Sequence, residues 1–588
     1  MIRYLLLAIC LLCSFSSPIP IRADDPDLAS RAAKILKKHC YSCHGVKFEV
    51  PGFNVLDHAV LVAQPADATP YVTAGKLDAS LIWQRIAVDK DMPPQKIDDR
   101  ISDQELEVLR RWIVDGAAAA TYTNREFITE ERVLRSIRDD LQEMQPESRS
   151  HQRYLSLHAI SNNPRYTDAD LRLYRAAVVK LLNSVSRRSR IVNPPMVDVP
   201  AERSSEGSVF RVDLRDFGWS AADWQLALQG YPFGLSWNDN KLQAFARDIE
   251  QLVGSLSFDG IAYVRADWFV TKASRPATYH ALLNIPETAG ELETRLGVDT
   301  KQDFLQDRLN RAGFAGSGVS HQNRLVDRHE GSVASYYYRS YDFDKAFGRG
   351  VLYRFPLGPR FDGNPHDQFA FEHAGGEIIW DLPNGLQGYM LVDAEGKRID
   401  KGPIEIVRDM REIAGSPEIV NAVSCIGCHR HGLLDYRDMV SGSQSLTSND
   451  RTKVDALYTR PDRLQEILAS DRNRYLAALK LAIGPYLQIR EATDTAITEF
   501  PEPISTVAKW YDQDMSLADV AAELGFENAD ALAPTIQYNQ KLKDLGLAPL
   551  ASDSTIPRRM WDTQQESPSS IFQRTAVALG VGSGMNPN

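Results

Sequence analysis

The motif C-x-x-C-H occurs twice in this chain, as HCYSCHG at residues 39–45 and as SCIGCHRHG at residues 424–432. This spacing is typical of the covalent attachment of c-type haem. The two thiols of each motif add to the vinyl groups of the macrocycle, and the following His then lies under the iron. The two motifs therefore predict two haem attachment sites in this chain.

The remaining cysteines add to this interpretation. The chain has six cysteines, and Cys10 and Cys13 belong to the N-terminal segment. The other four are Cys40, Cys43, Cys425 and Cys428, so every one of them falls in a C-x-x-C-H motif. Exported proteins often use cysteines for disulfides, but here none is left over for that purpose. A redox dithiol or a zinc site remains the alternative at each motif.

The first motif predicts a complete pair of axial ligands. His44 is the expected proximal ligand, and Met92 in the loop KDMPPQ is the expected distal one. A Met/His pair raises the reduction potential, as in cytochromes c. Helical patterns flank the site, and the second of them opens with Ser102 and Glu105 at capping-box spacing. These features predict a small helical domain over residues 27–117.

With the marks CYSCHG and DMPP, residues 27–117 resemble the planctomycete-type cytochrome c family. The resemblance implies an all-α, class I-like cytochrome c fold. It also implies thioether attachment at Cys40 and Cys43, with His44 and Met92 as the ligands of the iron.

The first residues indicate export. Arg3 is followed by an apolar run over residues 4–15, and cleavage after Ala23 would make residues 1–23 a signal peptide. A retained N-terminal anchor is the alternative. We expect a periplasmic or otherwise exported protein with no integral membrane segment after cleavage. The net charge of -11 argues against a nucleic-acid partner.

The rest of the chain predicts a multidomain protein. We expect a helical linker over residues 118–195 and an α+β domain with antiparallel sheet over residues 196–440. A helical region over residues 441–551 and a loosely ordered tail over residues 552–588 follow. The stretch EIIWDLPNGLQGYMLVD places Asn384 and Gly385 between apolar runs, which predicts a β-hairpin.

The second motif lacks an obvious distal ligand. Cys425 and Cys428 are the expected attachment points, and His429 is the expected proximal ligand. His329 and His373, from the α+β domain, are the distal candidates, and a structural role competes with ligation at both. The stretches NRLVDRHE, GGEIIWDLPNGLQGY and DKGPIEIV resemble uncharacterised large di-haem proteins that carry planctomycete-type domains. That resemblance implies the architecture and a redox role only.

Together these patterns predict an exported di-haem c-type cytochrome with two haem c groups. We expect it to exchange electrons with a redox protein or with a small donor or acceptor. The alternative is a haem-dependent redox enzyme of peroxidase or oxidase type, with the second haem as catalytic centre. A protein that binds a partner and senses redox state is a third hypothesis.

Overall fold

The computed structural model divides the chain into two compact units, residues 1–123 and 124–588. It describes residues 26–41, 43–44, 53, 55, 58–63, 69–94, 100–118, 125–198, 207–254, 260–344, 349–441, 448–489, 492–552, 554–564 and 567–587. The predicted signal peptide, residues 1–23, lies outside them. Among the described residues, no helix combines the length and the hydropathy that a bilayer crossing requires.

In its described part, the first unit has only helical regular structure. The α-helices are α1 (Pro26–His39), α2 (His58–Val62), α3 (Leu81–Trp83) and α4 (Asp103–Val114). Helix α1 packs on α4 because each buries one apolar face. Ser102 and Glu105 form the predicted capping box at the start of α4, so that prediction is confirmed.

The second unit contains both helices and strands. Its helices are α5 (Glu130–Glu143), α6 (Pro146–Arg149), α7 (His158–Asn162), α8 (Asp168–Ser184), α9 (Leu214–Phe217), α10 (Ala221–Ala227), α11 (Asn240–Val253), α12 (Ala266–Ala273), α13 (Thr278–Leu282), α14 (Ala289–Leu296), α15 (Thr300–Leu305), α16 (Arg349–Arg354), α17 (Val423–Cys428), α18 (Ser448–Leu457), α19 (Pro461–Leu487), α20 (Pro503–Tyr511), α21 (Leu517–Glu523), α22 (Leu532–Tyr538), α23 (Gln540–Asp544), α24 (Arg558–Trp561) and α25 (Ile571–Ala578). Its strands are β1 (Gln152–Ser156), β2 (Val209–Asp213), β3 (Leu235–Trp237), β4 (Val264–Arg265), β5 (Asn310–Ala315), β6 (Asn323–His329), β7 (Tyr337–Phe343), β8 (His373–Asp381), β9 (Gln387–Asp393), β10 (Arg398–Ile399) and β11 (Gly582–Gly584).

The largest sheet of the second unit is antiparallel, as the sequence predicts. Its six strands follow the order β10-β9-β8-β7-β6-β5, so each strand pairs with its neighbour in the chain. Strands β8 and β9 form the predicted hairpin, and Gly385 in its turn has φ of 89°. Glycine suits this turn because it adopts positive φ without a steric penalty.

The sequence predicts a helical linker over residues 118–195, but residues 125–195 do not form a separate segment. They lie in the same compact unit as the large sheet. Strand β1 pairs with β2 and β4 in a three-stranded sheet, and most of α8 is buried. The predicted helical character holds for α5 and α8 but not for β1, and an amphipathic pattern does not show what the apolar face packs against.

The tail also differs from the expectation of loose order. Strand β11 pairs with β3, and the side chains of Trp561 and Phe572 are 0% and 3% exposed. Burial of such large aromatic side chains outweighs the local effect of the Ser, Pro and Gly content of the segment.

The six-stranded sheet has two faces with different coverings. Side chains alternate along a strand, and cross-strand partners share a face. Glu377 pairs with Leu391, and Ile379 pairs with Tyr389, so these four define the Glu377 face. The opposite surface is the Tyr337 face, where Tyr337 pairs with Trp380. Helix α17 meets the Glu377 face, whereas Tyr337 donates a hydrogen bond to Glu293 of α14.

Candidate functional site

The first C-x-x-C-H motif forms a tight turn directly after α1. The backbone N–H groups of Cys43 and His44 both donate to the carbonyl oxygen of Cys40, at 3.2 and 2.9 Å. The carbonyl of His44 in turn accepts from Val55 at 2.8 Å. Local hydrogen bonds therefore hold the two thiols and the imidazole on one continuous turn.

Aromatic and apolar side chains surround this turn. The ring of His44 lies 5.3 Å from that of Phe53, which stacks on Tyr71 at 3.9 Å. Cys40 and Met92 pack against the same apolar cluster of the first unit. Burial, with a smaller effect of Cys43, raises the pKa of the Cys40 thiol to about 12, so this thiol is protonated at neutral pH.

Glu105 ties the motif to α4. Its carboxylate lies 3.2 Å from the ring nitrogen of His39 and 3.0 Å from Lys38, and it also accepts from the backbone of Ser102. Burial opposes the ionisation of Glu105, but these hydrogen bonds outweigh it and lower its pKa to about 2. His39 therefore has a structural role at the start of the motif.

The second motif lies on α17, which is short and mostly buried. His429 follows the helix directly, and its backbone N–H donates to the carbonyl of Cys425 at 2.7 Å. Cys425 is 2% exposed and Cys428 is half-buried, and both are free thiols. Burial raises the pKa of both thiols, that of Cys428 to about 11. Arg411 donates to the Cys428 sulfur at 2.8 Å.

The two ring nitrogens of His429 have different surroundings. Nδ1 donates to the carbonyl oxygen of Gly432 at 3.3 Å. Nε2 lies 3.6 Å from Oε2 of Glu377, and the ring of Tyr389 is 6.0 Å from the imidazole. A hydrogen bond from Nδ1 to a backbone carbonyl orients an imidazole for ligation through Nε2. This hydrogen bond fixes the ring so that Nε2, and not Nδ1, faces Glu377.

Glu377 is the residue at this site that sequence reasoning missed. Its carboxylate contacts the Cys425 thiol and faces His429, while Arg324 adds positive charge nearby. Burial raises the pKa of Glu377, but the charges of His429 and Arg324 and the hydrogen bonds outweigh it, so the net shift is downward. The sequence hints at a role for Glu377, because this acidic residue directly precedes the apolar run of strand β8.

The structure does not bring the two expected distal histidines to His429. His329 pairs with Tyr337 and so lies on the Tyr337 face, where its Nδ1 is 2.9 Å from Asp303. The ring of His373 packs edge-on against Tyr341, on the same face. Both candidates are therefore separated from His429 by the sheet itself. The correction follows from strand register, which no single stretch of sequence reveals.

Several contacts hold α17 and the residues before it in place. Asn421, just before the helix, donates to Nε2 of His280 at 2.6 Å. A Cβ on Gly427 would lie 2.7 Å from the Ile413 side chain, so any larger residue at that position requires Ile413 to shift. Lys180 and Glu502 form a buried ion pair of 2.9 Å that joins α8 to α20, which packs on α17.

The donor sets at both motifs fit covalently attached haem. Each offers two cysteines and an adjacent imidazole on one turn, and at the second motif the imidazole is already oriented by its Nδ1 hydrogen bond. Comparison with known proteins adds no assignment, because no family model, curated protein or solved structure matches the chain.

Proposed function

We propose that this protein is an exported c-type cytochrome that binds two haems covalently and transfers electrons through them. The observation that carries the proposal is the repeated C-x-x-C-H turn. Both copies place two cysteines and a His on one turn, and the second presents an imidazole whose Nδ1 is hydrogen-bonded to the backbone. Burial raises the pKa of both Cys425 and Cys428, which disfavours the thiolate that disulfide exchange requires.

The roles of the residues follow from their chemistry. Cys40 and Cys43 would hold the first haem and Cys425 and Cys428 the second, with His44 and His429 as proximal ligands. Met92 is the proposed distal ligand of the first. When bound, such a group supplies one-electron redox chemistry.

The chain contributes burial, orientation and charge. At the first motif, apolar and aromatic side chains would limit access of water, and the hydrogen bonds of Glu105 would keep the turn against α4. At the second motif, the Gly432 carbonyl orients His429 and the buried Tyr389 ring lies beside it. Hydrogen bonding to the ligand and burial are the means by which a protein tunes a haem potential.

The test is a haem count on the mature protein, made in a host with cytochrome c maturation machinery. Pyridine haemochrome analysis should return two haems c per chain. The double variant C40A/C43A and the double variant C425A/C428A should each lose one haem. The variant H431Q is the matched control, because His431 lies beside the second motif without being part of it, and it should retain both.

A colourless mature protein would overturn the proposal. Zinc in place of haem on elemental analysis of that protein would favour the metal-site alternative, and a reversible dithiol titration would favour the dithiol alternative.

A further inference from the structure

We infer that a cavity in the second unit, lined by no residue of either motif, binds a short primary alkylammonium ion through Gln152 and Asp216. This inference goes beyond the proposed function and does not depend on it. The cavity has a volume of about 120 Å³ and lies between the end of α5, the segment after α8, strands β1 and β2, and α9. An engineered protein cavity of about 150 Å³ holds benzene, so a ligand of about five non-hydrogen atoms suits this one.

Gln152 supplies a hydrogen-bond acceptor that has no donor. This side chain is 2% exposed and lines the cavity. Its Nε2 donates to the carboxylate of Asp213 at 2.8 Å and to the carbonyl oxygen of Ser148 at 3.0 Å. Both partners are acceptors, so they fix which end of the amide carries the oxygen. Within the part of the chain that the structure describes, Oε1 is buried without a hydrogen-bond partner. Buried polar atoms are normally paired, so a ligand that lies beside Gln152 should be a donor.

Asp216 supplies the negative charge. It lines the same cavity and is exposed, so a ligand can reach it from solvent. Arg215 already neutralises Asp213, at 2.6 Å, whereas only longer-range charges act on the carboxylate of Asp216 among the described residues. Partial burial, and after it the charge of Asp213, raises the pKa of Asp216, although Arg190, Arg215 and Arg188 oppose this shift. A bound cation would therefore compensate this carboxylate.

Arg211 also lines the cavity, but it does not favour an anionic ligand. Its Nη1 lies 2.6 Å from a carboxylate oxygen of Asp140, so its charge is already compensated. Once these ion pairs are matched, the described lining retains one negative charge, that of Asp216. The charge balance at the cavity thus selects a cation.

Apolar side chains form the rest of the lining and suit an alkyl chain. They belong to Met144, Val192, Pro194, Pro195 and Phe217. The wall is held in place before any ligand binds. The buried side chain of Asn183 accepts from the backbone N–H of Val192 and donates to its carbonyl oxygen, both at 2.8 Å. The backbone N–H of Arg211 donates to the carbonyl oxygen of Pro195 at 2.9 Å. A preformed wall lowers the cost of ordering the site on binding.

These features favour a primary ammonium over other small ligands. Such a group carries one positive charge and three N–H donors, as the Lys ammonium does. It can therefore donate to Oε1 of Gln152 and to the carboxylate of Asp216 at the same time. A quaternary ammonium has the charge without a donor, and an alcohol has one donor without the charge.

The first experiment uses the mature wild-type holoprotein, so that folding of a variant is not at issue. Isothermal titration calorimetry compares butylammonium chloride, tetramethylammonium chloride and 1-butanol at one ionic strength. Butylammonium should bind saturably, with one ion per chain, and the other two probes should bind about tenfold more weakly or not at all. No binding of butylammonium, or equal binding of the three probes, would overturn the inference.

The second experiment locates the site. D216N keeps the shape of an exposed side chain and removes its charge, so it should weaken butylammonium binding by about tenfold. The control D362N changes an exposed aspartate that does not line the cavity, and it should bind as the wild type does. Wild-type affinity in D216N, or the same loss in both variants, would refute the assignment. Neither result changes the haem count, so the proposed function is tested separately.

Discussion

His280 should make the stability of this protein depend on pH in a defined range. The side chain is 3% exposed, and its Nε2 accepts a hydrogen bond from Asn421, which precedes α17. Burial, with a smaller effect of Arg398, lowers the pKa of His280 from 6.5 to about 4. Protonation of Nε2 would remove the hydrogen-bond acceptor and place two N–H donors against each other, 2.6 Å apart. The folded structure therefore favours the neutral imidazole.

The magnitude follows from proton linkage. The unfolded chain binds a proton at His280 below about pH 6.5, whereas the folded chain does so only near pH 4. The contribution of neutral His280 to the free energy of unfolding is therefore fully present above the pKa of His280 in the unfolded chain. This contribution is lost as the pH falls below that value. The loss amounts to about 2 kcal/mol between about pH 7.5 and about pH 5, and to about 3 kcal/mol by about pH 4.

The assay compares the free energy of unfolding of wild type and H280Q by urea titration across this pH range. Glutamine keeps an acceptor oxygen for Asn421 but does not titrate, so the variant should lose about 2 kcal/mol less than wild type by about pH 5. H321Q changes an exposed histidine and should follow the wild type. Parallel pH profiles for wild type and H280Q would refute the reasoning.

Two further predictions concern the frame of the second unit. K180M leaves the carboxylate of Glu502 buried without its cation, and thermal melting should show a loss of about 3–5 kcal/mol. The double variant K180M/E502Q should regain most of it, and a K180M loss below about 1 kcal/mol would contradict the role of the pair. G376A places a Cβ 1.8 Å from the carbonyl oxygen of Ser340, so soluble protein should be lost. G290A meets no atom within 4 Å in α14 and should be neutral or stabilising by up to about 1 kcal/mol. Equal soluble yields of the two glycine variants would contradict this.

The local features of the chain were predictable because they depend on neighbouring residues. The capping box of Ser102 and Glu105 needs only their spacing, and the hairpin at Asn384 and Gly385 needs only a turn between two apolar runs. The antiparallel sheet follows from a series of such short connections.

The domain boundaries were less predictable for a physical reason. The amphipathic pattern of α8 shows that one face is buried but does not name its partner, and α8 packs on α19 and α20 from far along the chain. In the same way, the composition of the tail does not show that β11 pairs with β3. Partners distant in sequence are chosen by the whole packing arrangement.

By itself, the sequence predicts covalent haem attachment at two motifs, because two thiols and a His at fixed spacing need no tertiary contact to be recognised. It left open what faces His429, because that depends on which residues of a distant strand share one side of a sheet. Strand register decided the matter: it sends His329 to the Tyr337 face and brings Glu377 to within 3.6 Å of the imidazole. Side chains alternate between faces, so a shift of one residue would have reversed the outcome.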